Sequence, residues 1–105
     1  MLNYLYLIGT LYYIKKDYEK AIQYLKSSLA IQLETGFIVR ELETTTFLYL
    51  CYKYMGREYN AKEIHALIKE DQNIEYEINF RIYELLEDIL YLESAYNQIQ
   101  EKADN

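Results

Sequence analysis

The chain contains no proline and only three glycines, at positions 9, 36 and 56, in 105 residues. Tight turns lean on those two residue types, because glycine accepts positive φ and proline presets φ. A sandwich or barrel of short strands needs a turn about every 8–12 residues. An all-β fold is therefore excluded, and long helices remain. Hydrophobic residues make up 51% and charged residues 27% of the chain, which is too apolar for a disordered tail. The length fits one domain with a small core, since a chain of this size hides roughly 60–65% of its unfolded surface.

The apolar spacing divides this all-α chain. Leu5, Ile8 and Tyr12 share one face of a first helix ending near Lys15. Asp17 can cap a second helix, in which Tyr18, Ala21, Ile22, Leu25 and Leu29 recur at three and four residues. Gly9 and Ala21, both small, let the two helices cross closely. A similar series follows at a spacing of 40 residues: Leu48, Tyr52, Gly56, Tyr59, Ala61, Ile64 and Ile68. Here Ala61 is the expected crossing residue, and Gly56 the left-handed helix end. His65 falls at a core-facing position, where a partly buried, satisfied histidine is expected.

From Asn73 to Ala103 there is neither a glycine nor a turn dipeptide. Ile78, Ile82, Leu85, Ile89, Leu92, Tyr96 and Ile99 are spaced 4, 3, 4, 3, 4, 3, a heptad seam. A second stripe of Tyr76, Phe80, Tyr83, Leu86 and Leu90 runs beside it. The pattern predicts one long helix from about Ile74 to about Glu101, capped by Asn73, with the alternative of a third hairpin broken near Leu92 and crossing at Ala95. Two apolar stripes on one helix need two partners, and an unpartnered stripe marks an interface. The seam is the predicted oligomer contact.

The segment Leu5-Tyr-Leu-Ile-Gly-Thr-Leu-Tyr12 and the segment Lys16-Asp-Tyr-Glu-Lys-Ala-Ile-Gln-Tyr-Leu25 resemble the tetratricopeptide repeat, with Leu5 for its opening aromatic and Ile8 for its usual leucine. The second copy departs at Tyr49, where a close-packing glycine stands in the family. The resemblance implies a single domain over 1–105, an α-α superhelix with repeats at 2–36 and 38–70. A long C-terminal helix or degenerate third repeat follows at 74–102. By the same resemblance, Asn3, Tyr6, Thr10, Tyr13, Thr46, Leu50, Lys53 and Tyr54 line a concave groove for a peptide or protein. The groove subtype that clamps a C-terminal carboxylate is not expected, because its lysine and asparagine positions hold Tyr6 and Thr10. The alternative occupant is the protein's own C-terminal helix. The 40-residue period and the composition are similar to the repeat arrays of Gram-positive peptide-pheromone regulators, the Rap and PlcR-like group. That likeness implies the repeat region of a bacterial signalling or transcriptional regulator. The implied mechanism is non-enzymatic binding; the alternative is a structural homo-oligomer held by the heptad seam, with no peptide ligand.

The formal charge of −6 argues against direct nucleic-acid contact, which needs clustered Lys and Arg. Residues 1–52 carry 5 basic and 5 acidic side chains, and residues 53–105 carry 6 and 12, the whole of the excess. The apolar run from Met1 to Ile14 lacks a preceding basic residue and a cleavage site, and is too short to span a bilayer, so it reads as a core helix. With no capping helix before it, the chain is expected to be an oligomer or part of a longer array. Cys51 stands alone among apolar neighbours, a buried thiol compatible with the cytoplasm. One His and one Cys make no zinc site. The carboxylate pairs Glu41 with Glu43, and Glu84 with Glu87 and Asp88, suit a solvated face. No phosphate loop or nucleophile motif occurs. No catalytic residue, metal or cofactor is expected.

Overall fold

The computed structural model describes residues 2–36, 40–71 and 73–104, without the side chains of Leu2, Asn3 and Asp104. The groove position Asn3 and the boundary near residue 38 thus lie outside the described residues. Among them every regular element is an α-helix: α1 (Leu2–Ile14), α2 (Tyr18–Thr35), α3 (Glu41–Tyr54), α4 (Ala61–Glu70), α5 (Tyr76–Leu86) and α6 (Ile89–Asp104). None of these helices is long and apolar enough to cross a membrane.

Local chemistry ends each helix. Lys16 enters the left-handed region at φ 67°, so that its N–H and that of Asp17 return to the carbonyls of Tyr13 and Tyr12. The Asp17 carboxylate then accepts from the N–H of Lys20 and caps α2. Gly36 at φ 77° closes α2, and Gly56 at φ 71° follows α3. Asn60 caps α4 by accepting from Lys62 and Glu63. Asn73 does not cap α5; the cap position is Glu75.

Consecutive helices pack as neighbours: α1 on α2, α2 on α3, α3 on α4, and α5 on α6, with α3 also against α5. Gly9 makes the first crossing possible. A Cβ there would lie 2.7 Å from Leu25 Cγ and 2.8 Å from its Cδ2. Ala21, Ile22, Leu25, Leu48, Leu50, Cys51, Ile64 and Leu85 form the centre of the core. The α2–α3 contact is partly polar. Buried Gln32 donates to Ser28 Oγ at 3.0 Å and to Thr44 Oγ1 at 3.2 Å.

Further expectations are corrected. The single C-terminal helix is two, because Glu87 turns left-handed at φ 57° and Asp88 opens α6 by accepting from the N–H of Leu90 at 3.0 Å. The break falls four residues before Leu92. Ala61 and His65 are exposed rather than at the helix crossing, because α4 is only 10 residues long and buries Ile64 alone.

Candidate functional site

The predicted groove positions lie on α1 and α3, and α5 is laid across them. Tyr6 is buried edge-on to Phe47, with ring centroids 6.0 Å apart, and the Arg40 guanidinium lies 5.1 Å from its ring. Burial first, and Glu43 second, push the Tyr6 hydroxyl up to about 12. Tyr13 packs edge-on to the same Phe47 at 5.3 Å and is equally buried. Its hydroxyl donates to the Glu84 carboxylate of α5 at 2.6 Å. The Tyr54 hydroxyl donates to the same carboxylate oxygen, and Arg81 Nη1 holds the other at 2.9 Å. The Arg81 guanidinium sits 5.5 Å from the ring centroids of both Tyr13 and Phe47.

Glu84 therefore has two phenols and a guanidinium around one carboxylate. Burial alone would raise its pKa. The hydrogen bonds from Tyr13, Tyr54 and Arg81, with the charge of Arg81, outweigh that and hold the carboxyl below its ordinary range. Burial and the hydrogen bond to Glu84 drive the Tyr13 hydroxyl strongly upward. Lys53 completes the attachment. Its Nζ donates to the carbonyl oxygens of Glu84 at 2.7 Å and Leu85 at 3.2 Å, and meets the Glu87 carboxylate at 3.2 Å.

Tyr6, Tyr13, Lys53 and Tyr54 are thus brought together, but around α5. Thr46 and Leu50 are fully buried, and Thr46 Oγ1 donates to Leu42 O at 2.7 Å. Thr10 is half-buried at the rim, its hydroxyl turned back to Leu7 O at 2.9 Å. Tyr13, Lys53 and Tyr54 therefore face the protein's own α5. A cleft of about 440 Å³ lies beside Tyr13, Ile14, Tyr18, Tyr54, Arg81 and Glu84, and another of about 480 Å³ beside Tyr6, Arg40 and Glu43.

The heptad seam is also divided. Ile82 and Leu85 are buried within the chain and Ile78 is half-buried against the core, so the first half of the seam is internal. Ile89, Tyr96 and Ile99 on α6 are exposed, with Leu92 half-buried between them. Glu87 interrupts the register, which is why seven residues at heptad spacing do not form one stripe.

The groups weighed for chemistry are placed as follows. Cys51 is fully buried, and burial pushes its thiol up to about 12, away from the reactive thiolate. No group of three metal-ligating side chains occurs among the described residues. Glu43 and Glu84 do not lie on a solvated face, since their side chains are only 19% and 22% exposed. Burial raises the Glu43 carboxyl against the opposing pull of Arg40, with Asp71 and Glu75 adding to the rise.

Sequence reasoning missed Phe47 and Arg81, and set Glu84 on a solvated face. Arg81 carries a readable signal: it is the single basic residue between Lys69 and Lys102, three positions before Glu84. No protein family, no curated protein and no solved structure matches the chain.

Proposed function

We propose that the chain is a non-enzymatic, tetratricopeptide-like interaction module that binds other proteins through its outer helical faces. The resemblance of residues 5–25 to that repeat and the packing of α1 on α2, α3 on α4 and α5 on α6 support it. In this reading α5 and α6 form a third, degenerate hairpin. The observation that carries it is the seat of α5. With Glu84 gripped by Tyr13, Tyr54 and Arg81, and Leu50 beneath α5, those groove positions face the chain's own helix, while large apolar side chains stand free on α1 and α6. The likeness to pheromone regulators extends the proposal to the repeat region of a bacterial signalling or transcriptional regulator. A cytoplasmic place is part of the same proposal, supported by the buried, lone Cys51.

The test is photo-cross-linking in cells, with a photoreactive side chain placed in turn at Leu7, Ile99 and Thr10. Cross-links to protein from Leu7 or Ile99, and none from Thr10, are the expected result. Cross-links from Thr10 alone would favour an open peptide groove. Absence of protein adducts at all three positions would sink the interaction-module reading.

A further inference from the structure

We propose that the outer face of α1 is a self-complementary surface on which a second copy of this chain pairs, α1 against α1 in antiparallel, to form a closed two-fold dimer. The proposal deepens the interaction-module reading and rests on it. It replaces the C-terminal seam as the contact.

Tyr4, Leu7, Leu11 and Ile14 follow one another at spacings of 3, 4 and 3. That spacing places them on one side of the helix. They are 67%, 57%, 48% and 65% exposed, although all four are large and apolar. No charged residue occurs between Leu2 and Ile14. A solvated helix face interleaves charges among its apolar residues, and this one has none.

The stripe is symmetric about its own midpoint. Turning one copy end for end sets Leu7 against the partner's Leu11, and Tyr4 against the partner's Ile14. A two-fold interface requires this reciprocity, since residue i meets j and j meets i. The four side chains expose roughly 500 Å² per copy, so a pair would bury about 1,000 Å², the lower bound of a specific interface.

Charge selects the same face. Residues 1–36 carry four lysines and three acids, close to neutral, while residues 73–105 carry two basic and eight acidic side chains. Pairing through α6, which carries Glu93, Glu101 and Asp104 against Lys102 alone, would set like charge against like. Pairing through α1 sets two uncharged faces together, since no charged residue occurs from Leu2 to Ile14.

Light scattering over a range of concentrations tests the pairing. The expected wild-type mass plateaus at twice 12.7 kDa. Leu7→Glu with Leu11→Glu should give the single-chain mass with unchanged helicity, because both side chains are exposed. Ile89→Glu with Ile99→Glu should remain dimeric. A disulfide readout guards against misfolding. Mixing a Leu7→Cys chain with a Leu11→Cys chain should oxidise mainly to the mixed dimer, Cys51 being buried. A mass that climbs past the dimer without a plateau would overturn the closed pair, as would dimers lost in the α6 variant but kept in the α1 variant. A wild-type monomer that still cross-links from Leu7 to another protein would overturn self-pairing and leave the interaction module standing. A monomer with no adduct at any position would remove both.

Discussion

The ammonium of Lys53 lies 2.7 Å from the carbonyl oxygen of Glu84, 31 residues further along the chain. It donates also to Leu85 O at 3.2 Å. The last carbonyls of a helix have no partner within it. A lysine from α3 therefore satisfies the end of α5 and fixes where that helix stops. The contact also anchors α5 across the face that the repeat resemblance assigned to a ligand.

Replacing Lys53 by methionine should keep the apolar stem and remove both hydrogen bonds. Hydrogen bonds from a charged donor contribute about 1.5–3 kcal/mol each in favourable cases. The partly exposed setting of Lys53 puts the combined loss at about 1–3 kcal/mol. Chemical denaturation should show it, and amide exchange should quicken at residues 84–88 before it quickens in α1 or α2. Uniform quickening along the whole chain would mean that the lysine supports general packing and not the end of α5.

Glu87 is the residue at which the continuous C-terminal helix failed. It holds φ 57° without the freedom of glycine. Left-handed backbone costs an ordinary residue about 1–2 kcal/mol. Glu87→Gly should therefore be more stable than Glu87→Ala by about 1 kcal/mol in paired urea titrations. Its pair with Lys53 is 77% exposed on the glutamate side and contributes little to the comparison. If the alanine variant matches or exceeds the glycine variant, α5 and α6 have merged into the helix that the spacing alone predicts.

That failure shows where the sequence was readable and where it was not. The end of α2 at Gly36, the cap at Asp17, the close approach at Gly9 and the burial of Cys51 follow from local residue types, and all appear in the structure. The break at Glu87 has no glycine to mark it. It depends on Lys53, a tertiary partner, and on Asp88 capping the next helix. Of the eight groove positions, Tyr6, Tyr13, Lys53 and Tyr54 converge on α5. Their occupant was not decidable, because Arg81 and Glu84 look like a solvated ion pair until Tyr13 and Tyr54 are placed over them. The spacing puts His65 on a core-facing position, whereas the short α4 buries Ile64 alone and leaves that side chain in solvent.

The two shifted carboxylates predict opposite responses to acid. Glu84 sits below its ordinary value, so its contribution is present above the unfolded value of about 4.3 and is lost as pH falls through the folded one. Glu43 sits above its ordinary value, so its contribution is present below about 4.3 and is lost as pH rises through the folded one. Glu84→Gln should lower stability at neutral pH and flatten the acid limb of the stability profile. Glu43→Gln should leave neutral stability equal or higher. Denaturation midpoints taken between about pH 3 and pH 7 decide it, and the same sign for both variants would refute the assignment.

Gly9→Ala sets two effects against each other. Alanine improves helix propensity by about 1 kcal/mol. Its Cβ would stand 2.7 Å from Leu25 Cγ and 3.3 Å from the Leu25 backbone nitrogen, and Leu25 is fully buried. Overpacking of a close-packed crossing costs about 1–3 kcal/mol, so the clash should win and α1 should loosen from α2. Pairing the change with Leu25→Val should recover part of the loss in thermal unfolding. A neutral or stabilising Gly9→Ala would mean the crossing is looser than its geometry.

Gln32 offers the reverse test, a substitution that should help. It is 3% exposed, and its amide nitrogen donates to Ser28 and Thr44 while its Oε1 has no partner. An unpaired buried acceptor costs about 1–3 kcal/mol, more than one ordinary hydrogen bond returns. Methionine has nearly the same length and shape, and carries no group that needs a partner. Gln32→Met should therefore hold stability level or raise it by about 1 kcal/mol, with the helical signal unchanged. Gln32→Ala should lower it, because the cavity term then outweighs the relief of the orphaned oxygen. If methionine proves as damaging as alanine, Ser28 and Thr44 depend on the amide, and the polar layer between α2 and α3 stabilises the contact as a whole.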